Sequence, residues 1–219
     1  MTTLDSPLVR DVLDRLYDDA NKADDTLLPQ VRAEAARLGL SPGDSRLVTL
    51  LDDAFIAVAP EVGRLLYSFV RALRPATVVE FGTSFGLSTI HIASALRDNG
   101  YGRLVATEIQ PVKAMRATDH VRQAGLDDLV DIRIGDAFAT LAETKDIDFL
   151  LLDGWKDLYL PMLKMLEPAI NPGGMIVADD IDLCPDMLRS YTAYVRNPVN
   201  GYTSSKLPID DGLELSIRH

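Results

Sequence analysis

The chain has 219 residues, 47% apolar and 25% charged, with a formal net charge of −11. These values fit one globular domain with a sizeable core, and the charge disfavours a nucleic-acid partner, since a polyanion would meet net repulsion and Lys and Arg are scattered. No apolar run approaches the ~18 residues of a membrane span, residues 1–5 lack the regions of a signal peptide, and the single cysteine, Cys184, excludes an intrachain disulfide, so a cytoplasmic location is expected.

Residues 8–38 carry two amphipathic helical patterns, VRDVLDRLYDDA and LLPQVRAEAARLG. Val9, Val12, Leu13 and Leu16 share one face of the first, and Gly39 reads as the C-cap of the second. Residues 1–57 read as an N-terminal helical cap on a core of residues 58–219, with packing, a dimer contact and a lid all open as its role. Ser41-Pro42-Gly43-Asp44 reads as a turn before a helix through Leu50, Leu51 and Phe55. Pro60 opens another helix through Leu65, Leu66, Phe69 and Leu73.

Residues 77–82 form the first core strand, which breaks at Gly82-Thr83-Ser84-Phe85-Gly86 into a helix over 87–96. A glycine-bearing turn between strand and helix lets a ligand approach backbone at a helix N-terminus. The pattern E-x-G-x-x-x-G departs from the G-x-G-x-x-G of nicotinamide binders at Ser84. The second strand, 103–107, ends in Glu108-Ile109, an acid placed to accept ribose hydroxyl protons. Pro111 starts a helix through Met115 that closes at Gly125. The third strand, 130–134, runs into Gly135-Asp136-Ala137, where Asp136 can cap the helix beginning at Ala137.

Two apolar runs then end in carboxylate: residues 149–152, in a strand that starts at Ile147, before Asp153, and residues 175–178 before Asp179 and Asp180. The helix between them carries Leu158, Met162 and Met165 at packing positions, and Asn171-Pro172-Gly173-Gly174 is the turn into the second run. Such runs read as parallel strands buried on both faces. Ligands in open α/β sheets sit beyond the carboxyl ends of the strands, so these acids meet in one crevice. Three neighbouring carboxylates repel one another unless a cation holds them, and a hard divalent ion such as Mg²⁺ suits oxygen ligands. Lys156 follows Asp153 by three residues, a candidate proton acceptor beside that ion. A helix over 186–195 and a hairpin around Asp210-Asp211-Gly212 complete the chain. His91 reads as a packed histidine, and His120 and His219 fall in no ligating pattern. The expected fold is Rossmann-like α/β: a doubly wound, seven-stranded, mostly parallel sheet with an antiparallel strand in a C-terminal hairpin and extra N-terminal helices.

Asp153-Gly154-Trp155-Lys156-Asp157-Leu158-Tyr159-Leu160-Pro161, followed by Gly173-Gly174 and Ala178-Asp179-Asp180, resembles the cation-dependent O-methyltransferases of the catechol O-methyltransferase type. The likeness can be followed from Ser41 to the C-terminus, and the hairpin tail is similar to the bacterial branch. It implies O-methylation of a small phenolic, catechol-like substrate, dependent on S-adenosylmethionine and Mg²⁺. By the same resemblance, the segment from Val58 to Gly63 borders the methyl donor. Glu80 and Gly82 line its pocket, and Ser84 and Ser88 meet its methionine end. Glu108 and Ile109 belong to the ribose side, Asp136 and Ala137 to the adenine side, and Asp153 closes the set. Asp153, Asp179 and Asp180 would hold the metal, Lys156 would be the base beside Asp153, and Trp155, Lys156 and Asp180 would meet substrate. For that role the pKa of Lys156 must fall below the lysine reference of about 10.4, which a metal charge and partial burial favour. A homodimer through the N-terminal helices is also implied.

Three departures stand out. Asp180 takes the place of the family's usual Asn, adding a negative charge. Gly154 replaces a bulkier residue of animal members, which should open the adenine side. No counterpart is found for the carboxylate that some members use on the second substrate hydroxyl. The acceptor therefore stays open, with a modified tRNA base or a hydroxamate as alternatives, and a non-catalytic S-adenosylmethionine-binding module as another. The net charge weighs against tRNA, and the retained Lys156 and acids weigh against a non-catalytic module.

Overall fold

The computed structural model describes residues 1–41 and 43–219; Pro42, in the turn expected at Ser41-Pro42-Gly43-Asp44, lies outside the described residues. Ser6 caps α1 (Pro7–Leu38) by accepting the Val9 N–H, and Gly39 ends it in the left-handed region at φ 67°. Residues 8–38 thus lie in one 32-residue helix instead of the two expected, and it runs through Pro29. The polar stretch that interrupts the apolar pattern stays helical and has a tertiary partner. Asp24 accepts the N–H groups of Phe55 and Ile56 at 2.7 and 2.9 Å. The same contact explains a second correction. No helix passes through Leu51 and Phe55; a 3-10 turn over Ser45–Leu50, capped by Asp44, gives way to irregular backbone up to Ala59. A helix would need the two N–H groups that Asp24 takes.

The chain continues through α2 (Pro60–Leu73), β1 (Thr77–Phe81), α3 (Leu87–Asn99), β2 (Arg103–Glu108), α4 (Pro111–Gln123), β3 (Val130–Ile134) and α5 (Ala137–Thr140). Then come β4 (Ile147–Leu152), α6 (Tyr159–Leu166), β5 (Ile170–Ala178), α7 (Pro185–Arg196), β6 (Tyr202–Leu207) and β7 (Leu213–Arg218). The turn expected at 171–174 is absorbed into β5, where the pairing with β4 shifts register between Ile147 and Phe149. Among the described residues the strands form one seven-stranded sheet in the order β3-β2-β1-β4-β5-β7-β6. β1 to β5 are parallel, and β7 is antiparallel to both β5 and β6. This is the doubly wound Rossmann-like arrangement.

Alternate strand residues serve two cores. Val78, Leu104, Phe149 and Leu151 pack with α1 to α4, while Val79, Phe81, Leu150 and Leu152 pack with α5 to α7. Burial on both faces is why the parallel strands read as unbroken apolar runs. The first half of α1 belongs to the same apolar cluster as the sheet, through Val9, Val12, Leu13 and Leu16. Among the described residues no helix is long and apolar enough to cross a membrane.

The winding reverses between β1 and β4, the position where ligands lodge in such sheets. Backbone pairing continues just past the strand ends: Asp153 N–H donates to Phe81 O, Asp179 N–H to Leu152 O, and Thr83 N–H to Thr107 O, all within 2.9–3.0 Å. These bonds hold the acidic tips level with one another. The β6–β7 hairpin adds a brace, since the N–H groups of Ile181 and Asp182 donate to Gly212 O and Asp211 O.

Candidate active site

The turn after β1 is shaped by two backbone conformations that L side chains rarely adopt. Gly82 has φ 98°, and a Cβ there would lie 2.6 Å from the carbonyl oxygen of Asp153, so glycine lets the β1 and β4 tips touch. Ser84, where the nicotinamide pattern has glycine, adopts φ 48° nonetheless. Its hydroxyl donates to Phe55 O at 2.6 Å and its N–H to Glu108 at 2.8 Å, which compensates the strain.

Glu80 is fully buried beneath this turn. Ser88 and Thr89 donate to it at 2.6 Å and Thr83 at 3.4 Å. Burial lifts its pKa from 4.5 to about 7, the hydroxyls opposing. Glu108 accepts the N–H of Ser84 and of Gln110 (2.9 Å), and burial raises its pKa against the pull of those N–H groups and of Lys113. Asp136 caps α5 through the Phe138 N–H while facing the same cleft.

At the other side Lys156 gathers the acids. Its ammonium lies 2.7 Å from Asp180, 3.7 Å from Asp153 and 2.7 Å from the Tyr159 hydroxyl, which itself donates to Asp179 O at 3.2 Å. Asp180 sits at φ 61°, a region that Asn and Asp tolerate better than most residues, so the exchange with the family's Asn preserves the turn. The lysine stem runs under Gly43, where a Cβ would overlap it, and its N–H donates to Gly43 O at 3.0 Å. Burial and repulsion from Asp179 hold the Asp153 pKa well above its usual range; burial and Asp180 bring Asp179 to about 7. Lys156 moves opposite to expectation. Burial pulls its pKa down, but Tyr159 and the three carboxylates outweigh it and raise it well above 10.5.

These two assemblies face one cleft. Val58, Gly82, Ser84, Ser88, Glu108 and Ile109 line it, as do Asp136, Ala137, Asp153, Trp155, Lys156 and Asp180. Glu80 and Asp179 stand behind the wall, the first holding the turn and the second accepting the Asp180 N–H at 2.8 Å. Trp155 packs beside Val31, Leu51 and Ala54, so α1 helps to shape that side of the cleft. Gly154 does not open the pocket: the Phe81 ring fills the place a Cβ would take, 2.6 Å from it. His91 is buried with Nδ1 2.8 Å from Leu87 O, a packed histidine.

Sequence reasoning misses several lining residues. Phe55 stacks on Phe85 with centroids 4.2 Å apart, and Arg116, outside the lining, lies 4.6 Å over Phe85. Nothing local marks Phe55, because its place follows from the Asp24 contact. Lys113 was readable in principle, being a cation in the first turn of a helix, against the dipole.

Among the described residues no three His, Cys, Asp or Glu groups form a ready ion cage, since the Lys156 ammonium stands within reach of Asp153 and Asp180. The donor types still fit a hard divalent cation: Asp153 and Asp180 offer carboxylate oxygens beside the ammonium, and Asp179 holds a third carboxylate behind them.

A family model described as a methyltransferase domain matches residues 79–181, the turn and both acidic tips. The chain is 32% identical over 210 residues to catechol O-methyltransferase B of Danio rerio, covering 86% of this chain and 78% of that one. The chain belongs to the catechol O-methyltransferase family. It is an S-adenosylmethionine-dependent O-methyltransferase. Mouse catechol O-methyltransferase is 31% identical over 199 residues, covering 80% and 73% of the two chains, and that of the bacterium Niastella koreensis 32% over 131 residues, covering 58% of each. An O-methyltransferase of Bacillus cereus solved with SAH shares the fold of this family member at a TM-score of 0.67 and 20% identity, covering 91% and 96% of the two chains.

Proposed function

We propose that the methyl acceptor is a small catechol-like phenol and that the reaction requires a divalent cation, Mg²⁺, held by Asp153, Asp179 and Asp180. The observation that carries this reading is the charge balance at the strand tips across the cleft from the glycine turn, where Asp153 and Asp180 pair with one ammonium and Asp179 adds a third carboxylate behind them. A divalent ion there would supply the positive charge that favours an ionised catechol hydroxyl at neutral pH.

In this reading Val58, Gly82, Ser84 and Ser88 hold the methionine end of the cofactor over the floor made by Glu80. Glu108 and Ile109 take the ribose, and Asp136 and Ala137 the adenine edge. Trp155 packs a flat face against the acceptor ring, and Asp180 lies beside its hydroxyls. Lys156 takes the phenolic proton. With the carboxylates engaged elsewhere, burial is the main influence left on its amine, and burial favours the neutral form that can accept.

Turnover of a simple catechol should vanish in EDTA and return with Mg²⁺. Full activity in EDTA would overturn the metal role and leave the family assignment standing.

A further inference from the structure

Lys113 stands in the first turn of α4, two residues after Pro111, and is 4% exposed. A buried ammonium needs partners to replace its water, and those around Lys113 are committed elsewhere. Carboxylates act on it from each neighbouring element: Glu108 at the β2 tip, Asp24 on α1, and Asp52 and Asp53 after the 3-10 turn. Among the described residues none comes within ion-pair distance of its Nζ. Asp24 holds the Phe55 and Ile56 N–H groups, Glu108 holds those of Ser84 and Gln110, and Asp52 accepts from the Gln110 side chain. Asp53 is exposed. What remains is the Ser84 hydroxyl oxygen at 3.5 Å and the face of Phe85 at 5.3 Å. An ammonium has three donors, and one long contact leaves most of that capacity free at the wall of the cleft.

We propose that Lys113 is a cofactor-binding residue whose ammonium donates to a ribose hydroxyl oxygen of S-adenosylmethionine while Glu108 accepts hydroxyl protons from the same ribose. A hydroxyl is both donor and acceptor, so an acid alone satisfies half of it, and the adjacent ammonium supplies the other half. The inference rests on Glu108 being the ribose acceptor. The positive charge of Lys113 has a second effect, favouring the ionised form of Glu108 that burial opposes.

The test is calorimetric binding of S-adenosylhomocysteine and of 5′-methylthioadenosine, which keeps the ribose and lacks the amino-acid end. Lys113→Met should weaken both by a similar factor, about 10- to 100-fold, the range for a hydrogen bond to a charged group. The ligand-free variant should melt no lower than the unmodified protein, because a poorly partnered buried charge has been removed. Unchanged affinities would overturn the proposal. So would a loss confined to S-adenosylhomocysteine, which would put the ammonium on the methionine carboxylate, or a lower ligand-free melting temperature, which would make Lys113 a support of the fold. Glu108→Gln with both affinities intact would overturn the ribose reading itself, separately from any effect of Lys113.

Discussion

At the tip of β1 one carboxylate, Glu80, is surrounded by three hydroxyls. At the tips of β4 and β5 two carboxylates, Asp153 and Asp180, share the ammonium of Lys156, and a third, Asp179, stands behind them. Neutral donors satisfy a carboxylate without changing the charge count, so the first region is complete within the chain. The second keeps a negative surplus, and its acids answer by rising in pKa, Asp179 to about 7. One side of the cleft is therefore a hydrogen-bonded support and the other an electrostatic device that a cation would complete.

Breaking the device should have the largest effect. Lys156→Met removes the ammonium that Asp153 and Asp180 share, so ligand-free stability should fall by about 3–5 kcal/mol, as when one partner of a buried pair is lost. If Lys156 is the base, kcat should fall about 10²–10⁴-fold as well. Affinity for S-adenosylhomocysteine should change little, because the glycine turn does not depend on this residue. Denaturant melts, steady-state kinetics and calorimetry report the three quantities. Unchanged kcat would remove the base assignment.

Both assemblies were visible in the chain to different degrees. Residues 77–81 and 147–152 announce buried parallel strands, and acids just past such strands face the crevice, so the place of Glu108, Asp153 and Asp180 on its wall was legible; that of Asp179 was not, since it turns behind the wall to accept the Asp180 N–H. The continuity of α1 was not, because Asp24 breaks the apolar period in order to hold backbone from residues 55 and 56. The effect of Gly154 was hidden for a similar reason: whether a small residue opens a pocket depends on the neighbour, and here Phe81 fills the gap. The sign of the Lys156 shift depends on distances to four groups, which spacing along a chain does not contain.

The contact between the two regions can be tested at Gly82. An alanine there meets both a positive φ of 98° and the Asp153 carbonyl at 2.6 Å, so Gly82→Ala should cost about 2–5 kcal/mol, conformational strain and overpacking together. Gly173 is the control. It has φ 80° with nothing within 4 Å of the place an alanine methyl would take, so Gly173→Ala should cost only the strain, about 1–2 kcal/mol. Equal costs for the two variants would show that the β1 and β4 tips can part without penalty.

The most gradual effect is expected in the pH dependence of the support itself. Glu80 titrates near 4.5 when exposed and near 7 when folded, so between those values the folded state binds more protons than the unfolded one. Its contribution to stability is therefore greatest at low pH and is lost as pH rises towards and through 7, by on the order of 3 kcal/mol at full effect. His91 runs the other way. Burial lowers its pKa to about 4, so it removes stability as pH falls from 6.5. The two slopes overlap, and the melting profile of the unmodified protein alone would not separate them. Glu80→Gln keeps His91 and the strand-tip acids, so subtracting its profile from the unmodified protein's isolates the carboxylate. The advantage of the unmodified protein should shrink steadily between pH 5 and 7. A flat difference would mean that the three hydroxyls hold Glu80 ionised throughout, making the floor of the cofactor side a fixed charge instead of a titrating one.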